Sequence, residues 1–140
     1  MTAVDVRIYE VGPRDGLQAE DTEVATEDKL RFVSLLADAG LREIETTAFV
    51  SPKAVPQMAD ADALMQRLEP RAGVRYPVLV PNQRGLERAI EANVDAVCVF
   101  TAVSESYARH NINMSVDESL AAFAPVVSAA REREIGRAHV

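Results

Sequence analysis

A chain of 140 residues, 48% hydrophobic and 26% charged, can bury a core within one domain, which excludes a disordered tail. Fifteen basic against twenty-two acidic residues leave a net charge of -7, with no basic stripe or aromatic stacking set, so no nucleic-acid partner is expected. A single cysteine rules out an internal disulfide framework, no apolar stretch reaches membrane-spanning length, and no signal peptide is visible; a cytoplasmic protein without a membrane partner is expected.

The apolar run at residues 4–11 predicts a first strand, and Pro13 must stop it because proline cannot serve a central ladder. Gly12 and Gly16 let the chain turn there, with Arg14 and Asp15 side by side where a strand ends. Sheets and barrels of alternating strands and helices put their chemistry at such carboxyl ends. An arginine fork beside a hard oxygen ligand suits a carboxylate or thioester held on a divalent ion; the plain alternative is a surface turn pair. Residues 17–25 read as a loop over an active-site mouth.

Thr26 is a candidate N-cap for a helix whose Leu30, Val33, Leu36 and Ala37 share one face until Gly40. Residues 41–47 predict a second strand with Ile44 inside, followed by Phe49 as another packing residue; Glu45 is a charge amid apolar and small neighbours and needs a partner or a job. A proline-punctuated loop, 51–57, leads to a helix at about 57–68. Residues 74–80 predict a third strand despite Pro77, Asn82 can cap the helix carrying Leu86, Ala89 and Ile90, and residues 96–100 predict a fourth strand. Cys98 reads as a buried small hydrophobe, not a catalytic thiol, and His110 as solvated. Residues 111–113 predict a polar loop before a Ser115/Glu118 capping box and a helix containing Leu120, Phe123, Val126, Val127 and Ala130. The cadence argues for an α/β fold of parallel strands joined by right-handed crossovers, leaving barrel and doubly wound sheet both open. The glycine pattern of a dinucleotide site is absent from the first turn.

The segments Glu10-Val11-Gly12-Pro13-Arg14-Asp15-Gly16-Leu17-Gln18, Ile44-Glu45-Thr46-Thr47-Ala48-Phe49-Val50-Ser51-Pro52-Lys53, Val55-Pro56-Gln57-Met58-Ala59-Asp60, Tyr76-Pro77-Val78-Leu79-Val80-Pro81-Asn82 and Asn111-Ile112-Asn113 resemble the hydroxymethylglutaryl-CoA lyase family. That family sits among metal-dependent TIM-barrel enzymes that include isopropylmalate and homocitrate synthases. The Arg-Asp pair marks only the wider group, whereas Ser51-Pro52-Lys53 and Pro56-Gln57-Met58 favour the lyase. The resemblance implies the N-terminal half of a (β/α)8 barrel with about four parallel strands, and cleavage of hydroxymethylglutaryl-CoA to acetoacetate and acetyl-CoA, a step of leucine degradation. It implies Asp15 as a ligand of Mg2+ or Mn2+, Arg14 as the enolate-stabilising catalytic group, and Glu45 as a second catalytic residue that orients the metal or its water. Gln18, Asn82, Ser104 and Glu105 would line the site, Asn82 being equally explained as a cap. The full-length protein would be a homo-oligomer. A condensing synthase, or a half barrel that pairs with itself, are the alternatives.

The family's His-x-His metal ligands, later asparagine and catalytic cysteine are expected beyond Val140, so the chain as it stands is expected to be inactive. Residues 1–133 are expected to be a partial catalytic domain ending before strand five. Residues 134–140 match the translation of a sequencing adapter and are expected to be a non-native tail, so that His139 is disregarded.

Overall fold

The structure is a computed structural model that describes residues 6–137; Val4, in the expected first strand, and His139 lie outside the described residues. Six short strands are β1 (Tyr9–Glu10), β2 (Glu43–Ile44), β3 (Thr47–Ala48), β4 (Val78–Leu79), β5 (Ala96–Cys98) and β6 (Gly136–Arg137). Five helices are α1 (Thr26–Asp38), α2 (Ala61–Arg67), α3 (Gln83–Glu91), α4 (Glu105–Ile112) and α5 (Val116–Glu132). All ladders are parallel, and the strands neighbour one another in chain order. β2 and β3 are one continuous segment: its first half pairs with β1 and its second with β4. Backbone bonds from Ile44 to Arg75 and from Thr46 to Pro77, 3.1 and 3.0 Å, join the two halves into a single curved sheet.

The two faces of the sheet carry different packing. Ala48, Leu79 and Cys98 are register partners and share one face, where they cluster with Met58. On the other face Val78 and Val97 meet Leu86 and Ala89 of α3 and Val126 and Ala130 of α5, while Ile44, Val74 and Tyr76 meet Val33 and Ala37 of α1. Helices therefore cover one side, and the opposite side is the interior of an arc.

Four expectations need correction. Thr26 does not cap α1: Ala25 holds that position, and the Thr26 hydroxyl donates to Asp60 Oδ2 at 2.7 Å. The helix expected from residue 57 is a single tight turn, Pro56–Met58, followed by α2, because Asp60 between them is an acceptor for Thr26 and for Lys29. Asn111 belongs to α4, a mostly exposed helix without a broad apolar face; only Asn113, left-handed at φ 54°, ends it. Finally, Gly136–Arg137 occupies the fifth strand position opposite Ala96 and Val97, where four strands were expected. Edge pairing uses backbone amides and carbonyls, and Gly136, whose amide donates to the Asp95 carbonyl at 2.7 Å, has no Cβ to crowd that approach.

Candidate functional site

The first strand ends in one wide helical turn, Gly12–Gly16, with Pro13 at its start, where a missing N–H costs nothing. The Val11 carbonyl accepts the amides of Arg14, Asp15 and Gly16 at 3.1, 2.7 and 3.4 Å. Glu10 Oε1 accepts the Gly12 amide at 2.6 Å, and a Cβ on residue 12 would lie 2.8 Å from that oxygen. A side chain at residue 12 would therefore have to displace the Glu10 carboxylate from the amide it accepts.

That turn presents Arg14 and Asp15 together. Arg14 Nη1 donates to Asp15 Oδ1 at 2.8 Å, and Arg14 Nε donates to Glu45 Oε1. Burial separates the two carboxylates: the Asp15 side chain is 64% exposed, whereas Glu45 is 0% exposed. The charge that the sequence left without a partner is thus matched in the interior. Its oxygen Oε2 also accepts the Tyr9 hydroxyl at 2.8 Å and the Cys98 thiol at 3.2 Å.

A change of register explains how Glu45 reaches this interior. Glu43 opposes Arg75, yet Thr47 opposes Val78, so four steps on one strand match three on its neighbour. The extra residue is a bulge at 45–46 that re-aims the side chains on either side of it. Glu45, three positions before Ala48, thereby shares the inner face with Ala48 and Cys98, which a flat strand would not allow.

Tyr9 and Cys98 are the functional-site neighbours that sequence reasoning missed. Their signal was indirect: a buried carboxylate requires donors, and a hydroxyl on the neighbouring strand and a thiol two strands away on the same inner face can supply them. Burial chiefly, with its hydrogen bond to the Glu45 carboxylate and the charge of that group, pushes the Tyr9 phenol well above its ordinary range. Burial, then the Glu45 charge, raises the Cys98 thiol likewise. Cys98 is therefore a protonated donor and not a thiolate nucleophile.

The other expected site residues spend their side chains differently. Asn82 Oδ1 accepts the Gly85 amide at 2.9 Å and caps α3, Ser104 Oγ accepts the Tyr107 amide at 3.3 Å and caps α4, and Glu105 Oε1 accepts the Val116 amide at 3.2 Å. Gln18 continues the turn beyond Gly16, partly exposed. The Ser115/Glu118 capping box forms as expected, and His110 is exposed.

Two loops at this end of the sheet are tied together. Lys29, 3% exposed, donates to Asp60 Oδ1 at 2.6 Å and to the Gln57 carbonyl at 2.5 Å, and Gln57 Nε2 donates to the Glu20 carbonyl at 2.8 Å. The cross-link joins residues 17–25 to residues 51–60.

Asp15 offers an exposed hard oxygen, but among the described residues no group of three or more histidine, cysteine, aspartate or glutamate side chains could hold a metal ion. The residues present do not by themselves complete a divalent site, which wants about six donors.

Parallel strands in chain order, helices on one face and a charged cluster after the first strand define the N-terminal part of a TIM barrel. The family model described as HMGL-like matches residues 5–138, and this chain belongs to that family. It is 49% identical over 130 residues to the cytoplasmic 3-hydroxy-3-methylglutaryl-CoA lyase of Rattus norvegicus, covering 93% of this chain and 38% of that protein. Hydroxymethylglutaryl-CoA lyase from Pseudomonas aeruginosa matches with a TM-score of 0.90 at 47% identity, over 94% of this chain and 44% of that one. An HMG-CoA lyase from Acinetobacter baumannii, solved with coenzyme A and 3-methylmalate, matches with a TM-score of 0.88 at 32% identity, over 98% and 45% of the two chains. The chain thus spans about two fifths of the length of these relatives.

Proposed function

We propose that this chain is the N-terminal portion of a hydroxymethylglutaryl-CoA lyase. The observation that carries the reading is the Arg14 guanidinium, bridged between buried Glu45 and exposed Asp15 beyond the first strand. In the reaction, the 3-hydroxyl of the substrate loses its proton and the bond between C2 and C3 breaks. C3 becomes the ketone of acetoacetate, the electron pair passes into a thioester enolate, and protonation of C2 gives acetyl-CoA. Arg14 supplies fixed positive charge where the enolate oxygen develops, and Glu45 holds the guanidinium in place. Closing of the inner face by the remaining barrel would strengthen that interaction by excluding water.

The HMGL-like family is metal-dependent. Asp15 would contribute one ligand to Mg2+ or Mn2+, and the bound ion would polarise the substrate's oxygens. Gln18, Asn82, Ser104 and Glu105 are proposed to border the acyl-CoA at the rim. The cytoplasm is the proposed compartment, and relatives named cytoplasmic and mitochondrial both match the chain. Residues 134–140 are proposed to be a non-native tail, which resequencing the gene across codon 133 tests.

The functional test is acetoacetate release from hydroxymethylglutaryl-CoA by the full-length protein. Condensation of acetyl-CoA with a 2-oxo acid, without cleavage, would instead place it with the synthases.

A further inference from the structure

Glu45 gathers its donors from three elements: Tyr9 in β1, Cys98 in β5 and Arg14 in the turn after β1. β1 and β5 lie on opposite sides of the segment that carries Glu45. The terminal torsion of a glutamate is broad, so burial alone does not fix the plane in which its two equivalent oxygens lie. Two donors on Oε2 do fix it. With Oε2 held by Tyr9 and Cys98, Oε1 is the oxygen left to receive Arg14 Nε. Arg14 Nη1 is taken by Asp15, and among the described residues Nη2 has no protein acceptor. The guanidinium is oriented on two of its three nitrogens, and the third is available to a ligand oxygen.

We propose that Tyr9 and Cys98 are positioning residues for Arg14, acting through Glu45 so that Nη2 stands where a substrate oxyanion would need it. This rests on the lyase reading for its catalytic meaning, but its geometry stands apart from it. The raised Tyr9 and Cys98 groups keep their protons throughout the ordinary working range, so both remain donors. The bulge at 45–46 contributes by turning Glu45 toward both.

The test uses the full-length protein with Tyr9→Phe, Cys98→Ala and Cys98→Ser, each in the native and the Arg14→Ala background. Tyr9→Phe is expected to lower kcat about tenfold with KM within about twofold, since the lost bond acts on the transition state. Cys98→Ala should lower kcat by about threefold, and Cys98→Ser, which still donates, should restore it. In the Arg14→Ala background neither substitution should lower kcat further, because the residue they position is gone. Equal fold-losses in both backgrounds would show a merely structural role and overturn the proposal. A second readout needs no turnover: hydrogen exchange of Arg14 Nε–H, followed by NMR, should accelerate at least about tenfold in Tyr9→Phe and return toward native rates from Cys98→Ala to Cys98→Ser. Unchanged exchange in these variants overturns the proposal. If the native full-length protein releases no acetoacetate, the lyase reading falls and exchange alone decides the positioning. If Tyr9→Phe does not fold, the Cys98 pair decides it.

Discussion

Asp60→Ala should destabilise the protein more than Lys29→Met, although the two residues form one ion pair. The Lys29 side chain is 4% exposed and that of Asp60 22% exposed. Removing the carboxylate strands a buried ammonium, a loss of about 3–5 kcal/mol for a fully buried pair. The Gln57 carbonyl still accepts from Lys29, and water can enter the vacated space, so the lower end, about 3 kcal/mol, applies to this part. The Thr26 hydroxyl also loses its acceptor, adding about 1 kcal/mol. Lys29→Met fills much of the same volume and strands nothing comparable, because Asp60 keeps Thr26 and its access to water; about 1–2 kcal/mol is expected. At about 2–4 °C per kcal/mol for a chain of this size or larger, Asp60→Ala should melt several degrees below Lys29→Met. Thermal unfolding of the full-length variants, followed by circular dichroism, measures the difference. A Lys29→Met loss equal to or greater than that of Asp60→Ala would refute the reasoning about which partner is stranded.

In the full-length protein Arg14→Lys should lower kcat by about 10²-fold or more with little change in KM, because an ammonium cannot span Glu45, Asp15 and a ligand oxygen together; steady-state acetoacetate release measures it. Asp15→Asn should weaken binding of Mg2+ or Mn2+ in calorimetric titration, with thermal stability little changed because the side chain is mostly exposed. Ser115→Ala should cost about 1 kcal/mol in urea unfolding through loss of the α5 cap. The Ser115 backbone amide and then its hydroxyl lower the Glu118 carboxyl below its ordinary value of 4.5. Its contribution is therefore present above that value and lost as pH falls through the lower folded one, so Glu118→Gln should flatten the acid limb of the stability profile. The 140-residue chain alone, with Mg2+ or Mn2+ added, should release no acetoacetate, since its described residues supply no complete ligand set.

The helix starting near residue 26, the Asn82 cap and the Ser115/Glu118 box were legible because each depends on neighbours a few positions away, and the parallel order because alternating strands and helices with short connections leave little else. Arg14, Asp15 and Glu45 were legible as chemistry out of place, a charged pair after a strand and a carboxylate inside one. The partners of Glu45 were not, because Tyr9 lies 36 residues from it and Cys98 lies 53 away, and only the bulge decides that they face it. Lys29 was hidden for the same reason: its acceptors at Gln57 and Asp60 come from a loop that reads locally as helix. α4 was missed because a largely solvated helix lacks the broad apolar stripe that periodicity detects.

Since every strand pairs with its neighbour in the chain, the Glu45 anchor closes using residues 9–98 alone. A ribosome working from the N-terminus at about 5–20 residues per second would release this whole group before the later part of the longer relatives had been made. The arginine would then be seated on its carboxylate early in synthesis, and segments arriving afterwards would assemble against a mouth whose charge is already set. Domains that build their reactive groups late must carry them loose through that interval; here the guanidinium has an interior partner from the outset.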